Sequence, residues 1–140
     1  MDYRVTQNTI LLRLDPGEEI CKSLLSVAEQ EDIRFAAVSG LGAVNEFTTG
    51  VFDTIEKKYY SNSFSGPFEI TSLTGTLTRM DGKPYLHVHM SAGNAQGQVY
   101  GGHLNRAVIS ATAEIILRIL PGNTDRHFSE DVGLNLLHFD

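Results

Sequence analysis

This chain has little that could cross-link it or attach it to a membrane. Cys21 is the only cysteine among its 140 residues, so no disulfide can form within one chain, which suits a reducing compartment. We expect Cys21 to be a buried, unreactive thiol. Apolar runs are short, and the strongest, residues 115–117, is stopped by Arg118. The N-terminal residues lack the apolar stretch of a signal peptide, so we expect a soluble cytoplasmic protein with no membrane partner.

The chain also lacks a basic cluster that would bind nucleic acid. It carries 11 Lys and Arg against 17 Asp and Glu, a net charge of −6 with the histidines neutral. The densest basic positions are Lys57 with Lys58 and Arg79 with Lys83, and neither pair belongs to a larger cluster in the sequence. Because affinity for DNA depends on cations that neutralise phosphates, this composition disfavours DNA as a direct partner.

The length predicts one domain over residues 1–140, long enough to bury a core. Near the N-terminus, residues 9–14 are predicted to form a strand. The segment that follows predicts the start of a helix, with Asp15 as the N-cap, Pro16 at the first helical position and Glu18 completing a capping box. We expect this helix to end near residues 31–32. Its apolar stripe at helical spacing consists of Ile20, Leu24, Val27 and Ala28.

Most of the remaining chain has the composition of strands separated by turns. Strands are predicted over residues 34–39, 44–53, 59–60, 68–78, 84–90, 98–102 and 107–120. The pair Asp81-Gly82 predicts a hairpin turn. In residues 107–120 every odd position up to 119 is apolar, so one face belongs to the core and the other is mixed. The predicted fold is α+β, a strongly curved or nearly closed, mostly antiparallel sheet with one main helix, whose edges oligomerisation would cover.

The most informative motif is His87-Val88-His89, which is followed by a glycine-rich loop and then Gly101-Gly102-His103. On a strand successive side chains point to opposite faces, so His87 and His89 share a face, about 7 Å apart. A short return strand would bring His103 beside them. Three converging imidazoles favour a transition metal, zinc first, with a coordination position left open for water or substrate. The alternative is a pair of outward histidines that bind nothing.

Other polar residues are weaker candidates. Glu114 is the one carboxylate that we nominate as a catalytic acid or base, because it lies among apolar neighbours, and a solvated glutamate is the alternative. His127 lies in a polar stretch predicted to be a loop and His138 lies near the C-terminus, so we expect both to be exposed and not to ligate. The glycine-rich residues 39–42 and 93–102 do not match a phosphate-binding motif, and we expect them to form tight turns.

Three blocks of the sequence carry a resemblance to a known family. They are GLGAV at residues 40–44 running to GVFD at 50–53, then GPFEITSLTG at 66–75, then LHVH at 86–89 running to GGHL at 101–104. Together they resemble the PPC domain (plants and prokaryotes conserved). The resemblance extends from about residue 3 to residue 140, and the order and spacing of all three blocks agree with it.

The resemblance implies one helix on an antiparallel sheet, assembled as a homotrimer. It also implies that prokaryotic members stand alone, whereas plant members carry AT-hooks and act as nuclear DNA-binding regulators. This chain has no AT-hook of the Arg-Gly-Arg-Pro kind, and Pro67 stands where the plant-type block has arginine. In some archaeal relatives the matching histidines hold zinc, which here implies zinc on His87, His89 and His103.

These observations leave three functions open. The first is a homotrimer with a three-histidine zinc site that binds a small molecule or performs metal-dependent chemistry as an enzyme. The second is a DNA-binding or transcription-related regulatory protein, the role usually associated with the family. The third is an assembly platform in which the histidines are polar residues at a subunit interface.

We predict that this protein binds duplex DNA weakly and without sequence preference, because its basic residues are outnumbered and scattered. A mobility-shift titration near physiological salt tests this prediction. A dissociation constant below about 10⁻⁷ M for a defined site would contradict it, since ordinary non-specific binding is much weaker.

Overall fold

The computed structural model of the protein describes residues 1–139, which form eight β-strands and one α-helix. In chain order these are β1 (Asp2–Thr6), β2 (Thr9–Leu14), α1 (Ile20–Gln30), β3 (Ala36–Asp53), β4 (Lys58–Met80), β5 (Lys83–Gly93), β6 (Val99–Ile119), β7 (Asp125–Ser129) and β8 (Leu134–His138). No helix in this part of the chain is long and apolar enough to cross a membrane.

Strands β3 to β6 close on themselves. Over residues 1–139 the main sheet has six strands in the order β1-β2-β6-β3-β4-β5, and β5 pairs a second time, with β6. Every pairing in it is antiparallel. The long strand β6 makes closure possible, because its first residues pair with β5 and its last residues pair with β2. The predicted α+β fold with a curved, nearly closed antiparallel sheet is therefore confirmed.

The inside of this closed sheet and one face of α1 share a single core. Val88 and Met90 on β5 face it and are 1% and 2% exposed, and α1 packs against β5 and β6. The predicted apolar stripe of the helix is confirmed, since all of its members are fully buried: Ile20, Leu24, Val27 and Ala28.

The helix begins later than predicted. Its first residue is Ile20, and the N-cap is Glu19. The Glu19 carboxylate accepts hydrogen bonds from the backbone amides of Cys21 at 3.0 Å and Lys22 at 2.9 Å. A longer side chain thus performs the capping that we predicted for Asp15, and the helix ends close to residues 31–32, as predicted.

The segment that was predicted to start the helix forms a turn. The Glu18 carboxylate does accept the Asp15 amide at 2.8 Å, as in a capping box. Gly17, however, has φ +88°, which a right-handed helix excludes, and its amide donates to the Ile109 carbonyl on β6 at 2.9 Å. This segment is therefore hydrogen-bonded to β6 instead of forming the first turn of the helix, and Pro16 lies outside the helix.

Several strands predicted as separate segments are continuous. Strand β3 joins residues 34–39 to 44–53, and register shifts between Gly40 and Gly42 and between Val44 and Glu46 take up the bend. Strand β4 and strand β6 are likewise unbroken. The predicted hairpin turn at Asp81-Gly82 is confirmed, with φ of 51° and 76° at the two positions. Bulges, which bend a strand without ending it, account for the merging in β3.

The C-terminal residues form a hairpin where the sequence predicted a loop. Strands β7 and β8 make a separate two-stranded sheet, which packs against β4. His127 therefore lies on a strand and not in a loop. Its imidazole stacks on that of His138 with ring centroids 4.2 Å apart, and both residues are exposed, as predicted.

Arg79 on β4 fastens the C-terminal end of α1 to the sheet. The side chain is buried, and its Nε donates to the Ile33 carbonyl at 2.9 Å while Nη2 donates to the Ala28 carbonyl at 3.3 Å. The same guanidinium lies 3.4 Å from the Glu29 carboxylate and 3.1 Å from that of Asp32. The Ile33 carbonyl just beyond the helix thereby gains a donor, and the Ala28 carbonyl in the last turn gains a second one beside the Ile33 amide.

We predict that Arg79→Met lowers the free energy of unfolding by about 1–3 kcal/mol, because the buried Ile33 carbonyl loses the hydrogen bond from Arg79. Urea denaturation followed by circular dichroism measures the change. The matched control is Arg34→Met, which breaks an exposed pair with Asp32 and should cost below about 1 kcal/mol. Equal losses in the two variants would contradict the role of Arg79.

Candidate metal centre

Strands β5 and β6 bring three histidines together on the outer face of the closed sheet. His89 lies directly opposite His103 in the register of the two strands, and His87 precedes His89 by two positions on the same face. Val88 and Met90 alternate with them and point into the core. His87 and His103 are half-buried and His89 is exposed. The structure therefore assembles the cluster that strand parity predicted.

The donor set of this cluster fits a transition metal. One nitrogen from each of His87, His89 and His103 lies within 4.8 Å of the other two, and the ring centroids are 5.3, 5.3 and 5.6 Å apart. Nitrogens bound to one tetrahedral zinc ion lie about 3.4 Å apart, a separation within reach of ring rotation. Three imidazole ligands suit zinc and its neighbours in the first transition row.

The local electrostatics hold two of the rings in the form that binds metal. Burial, followed by the charge of Arg126 and then by the other two histidines, lowers the pKa of His87. Burial and the neighbouring His89 lower the pKa of His103. Both imidazoles are therefore neutral at neutral pH, and a neutral imidazole is the metal ligand.

The histidines lie in a cleft of about 1170 Å³. One wall consists of the last residues of β3 and the first residues of β4, which pair with each other. The other wall is the β7–β8 hairpin, whose side chains Leu134 and Leu136 line the space. The two walls meet at their far end, where the Lys57 ammonium donates to the Asp131 carbonyl.

Tyr59 forms part of the first wall because residue 50 is glycine. A Cβ at Gly50 would lie 2.5 Å from the Tyr59 ring. The ring can therefore lie across β3 at this position only because residue 50 has no side chain. The Tyr59 hydroxyl donates to the Asn105 side chain at 2.7 Å. Its ring is edge-on to His103, with centroids 6.2 Å apart. This contact fixes an aromatic surface beside the histidine cluster.

Arg126 fastens the second wall, and sequence reasoning missed it. It is 4% exposed, and its Nε donates to the Thr78 hydroxyl at 2.9 Å. Its terminal nitrogens donate to the Thr76 hydroxyl at 3.2 Å and to the Asn135 carbonyl at 2.9 Å. The guanidinium also lies over the Tyr85 ring, 4.7 Å from its centroid. A single arginine in a polar stretch gives no sequence pattern that distinguishes it from a surface residue.

Glu114 lies apart from the histidines within the chain. It is exposed on β6, where it pairs in register with Arg13 on β2 and Leu41 on β3, and it is not among the residues that line the cleft. Of the residues that the structure describes, those lining the cleft include no Asp or Glu. The cleft of one chain therefore offers no carboxylate for general acid–base chemistry.

Cys21 takes no part in this site. It is partly buried on α1. Burial, with a smaller contribution from the charge of Glu19, raises the pKa of its thiol to about 12. The thiol remains protonated at neutral pH, and a protonated thiol is a poor nucleophile, but Cys21 is partly buried where the sequence predicted a buried residue.

Comparison with known proteins gives this fold a family. The model of the Plants and Prokaryotes Conserved (PCC) domain matches residues 1–121, which confirms the resemblance found in the sequence. The bifunctional protein GlmU of Synechococcus sp. (strain JA-3-3Ab) is 34% identical over 108 residues, which are 76% of this chain and 16% of that protein. The chain spans about a sixth of the length of the curated relatives it matches.

Solved structures match nearly the whole chain. A candidate DNA-binding protein from Bacteroides thetaiotaomicron is 28% identical with a TM-score of 0.95, covering 99% of this chain and 96% of that one. A metal-containing protein from Archaeoglobus fulgidus is 33% identical with a TM-score of 0.87, covering 99% and 97%. Each match covers 99% of this chain, so the likeness is one of the whole fold.

Proposed function

Since this chain belongs to the Plants and Prokaryotes Conserved (PCC) family, we propose that it binds zinc through His87, His89 and His103 and takes a small molecule in the adjoining cleft. The observation that carries the proposal is the convergence of three imidazole nitrogens within 4.8 Å in a cleft of about 1170 Å³. The metal content of the Archaeoglobus relative supports a metal in this chain as well.

The arrangement suits ligand binding through the metal. Zinc with three protein ligands keeps one position open, where it polarises a carbonyl group or lowers the pKa of a bound water. The residues of the chain provide the surroundings of that position. Tyr59 contributes an aromatic wall, Leu134 and Leu136 contribute apolar surface, and Arg126 contributes a fixed positive charge. Metal-dependent catalysis would additionally need a general acid or base. The described lining of the cleft provides no carboxylate, so this group would come from outside the cleft, and Glu114 is the candidate that we nominate within the chain.

We predict about one zinc ion per chain in protein purified without chelator, and its loss in the His89→Ala variant. Elemental analysis of the folded proteins measures both. His127→Ala is the matched control, because that histidine lies on the C-terminal hairpin outside the cluster, and it should keep full metal content. Full metal content in the triple variant His87→Ala/His89→Ala/His103→Ala would overturn the assignment.

We also propose that the chain assembles as a homotrimer. The number of subunits is the one that the resemblance to the PPC domain implies. Exposed apolar side chains on the outer face of the sheet support self-association: Leu11, Leu41 and Ile116 are 51%, 56% and 43% exposed. Leu11 lies opposite Ile116 in the β2–β6 register, so these two form one continuous surface. Subunit contact would remove this surface from water.

We predict a mass of about three times the 15.4 kDa chain in light scattering coupled to gel filtration. Ile116→Asp should lower the mass, because it places a charge in the apolar surface that Ile116 forms with Leu11. Ile55→Asp, at a position 92% exposed between β3 and β4, is the control and should leave the mass unchanged. A wild-type monomer at micromolar concentration would refute the trimer.

DNA binding or a transcription-related role is the second candidate function. The designation of the Bacteroides relative favours it. The net charge of −6 weighs against direct contact with phosphates. The mobility-shift titration described above separates the two candidates, because the zinc proposal requires no affinity for DNA.

A further inference from the structure

Two arginines of this chain are buried, and they differ in their partners. Arg79 is 8% exposed and Arg126 is 4% exposed. The Arg79 guanidinium forms ion pairs with the carboxylates of Glu29 and Asp32. Arg126 forms none with the residues that the structure describes, and its hydrogen-bond acceptors are two hydroxyl groups and one carbonyl. Arg79 therefore has the partners of a structural cation, whereas the charge of Arg126 has no counterion among residues 1–139.

An uncompensated buried charge strongly favours a bound anion. Transferring a guanidinium from water into a protein costs several kcal/mol unless a counterion compensates it. Burial lowers the pKa of Arg126, but arginine starts so high that the group remains charged at neutral pH. Neutral acceptors fix the direction of the Arg126 guanidinium without cancelling its charge. That charge therefore stays available to the cleft that Arg126 lines.

The guanidinium also keeps donors for a ligand. Arginine has five N–H groups. The bonds from Nε, Nη1 and Nη2 to Thr78, Asn135 and Thr76 use one hydrogen each. One N–H on each terminal nitrogen is left, and such groups form strong, charge-assisted hydrogen bonds with carboxylate oxygens.

The charge of Arg126 and the three histidines belong to the same cleft. Arg126 and His87 line one cleft, and the charge of Arg126 is among the causes that lower the pKa of His87. The described lining contains no acidic residue that would offset this charge, although the chain as a whole carries −6. Leu134, Leu136 and Tyr85 supply apolar surface beside it. A small organic molecule with one anionic end matches this combination.

We propose that Arg126 makes the cleft selective for small organic carboxylates over neutral molecules of the same shape. The proposal deepens the proposed function, because the metal would supply a second contact to the ligand, but the selectivity comes from Arg126. Residue 126 lies beyond residues 1–121, which the family model matches, so family membership by itself gives it no role.

The test compares two probes that differ in charge and hardly in shape, hexanoate and hexanamide. We expect zinc-loaded wild-type protein to bind hexanoate at least tenfold more tightly than hexanamide in calorimetric titrations. Arg126→Gln should reduce this preference to less than threefold while keeping its zinc. Arg79→Gln is the matched control, since it removes a buried arginine outside the cleft, and it should keep the full preference.

Several results would overturn the proposal. They are equal binding of the two probes to the wild-type protein, no binding of either at 10 mM, tighter binding of inorganic phosphate than of hexanoate, or an unchanged preference in folded Arg126→Gln. If Arg126→Gln does not fold, the comparison of the two probes on chelator-treated wild-type protein decides, because zinc would itself favour a carboxylate and is absent there. Repeating the titrations on chelator-treated protein separates this proposal from the zinc proposal, because the preference for carboxylate should persist at lower affinity when no metal is bound.

Discussion

The second pairing of β5, with β6, is the constraint on which the rest of this structure depends. It turns an open sheet into a closed one and thereby provides an inside for the core. The same pairing sets His89 opposite His103. Without it, His103 would belong to a strand elsewhere, and His87 and His89 would be two outward side chains. Fold closure and the assembly of the histidine cluster are thus one event.

Alternation along β5 ties the stability of the protein to the geometry of the cluster. Val88 and Met90 are almost fully buried, and the histidines beside them face outward. A slip of one residue in register would bury imidazoles and expose core side chains. The core therefore fixes the position of the histidines on the outer face, and the rigidity that a preorganised site needs comes from packing on the opposite face of the sheet.

Sequence reasoning predicted what depends on local pattern and missed what depends on distant contacts. The shared face of His87 and His89 follows from strand parity alone, and the turn at Asp81-Gly82 follows from its residue types. The helix start was wrong because pairing of Gly17 with β6, far along the chain, overrides the local capping pattern. Arg126 was missed for the same reason. Its burial is created by Thr76, Thr78 and Tyr85, which are remote in sequence.

The β7–β8 hairpin is attached to the main sheet at two places that differ in burial. At its base the buried Arg126 side chain donates hydrogen bonds to Thr78 and Thr76 on β4, whereas at its exposed tip Lys57 donates to the Asp131 carbonyl. Local opening of a protein starts where solvent already reaches the bonds, so opening of this hairpin would start at its tip. The bonds of Arg126 to β4 would break last, and the base of the hairpin would keep its place beside the histidines while the tip opens.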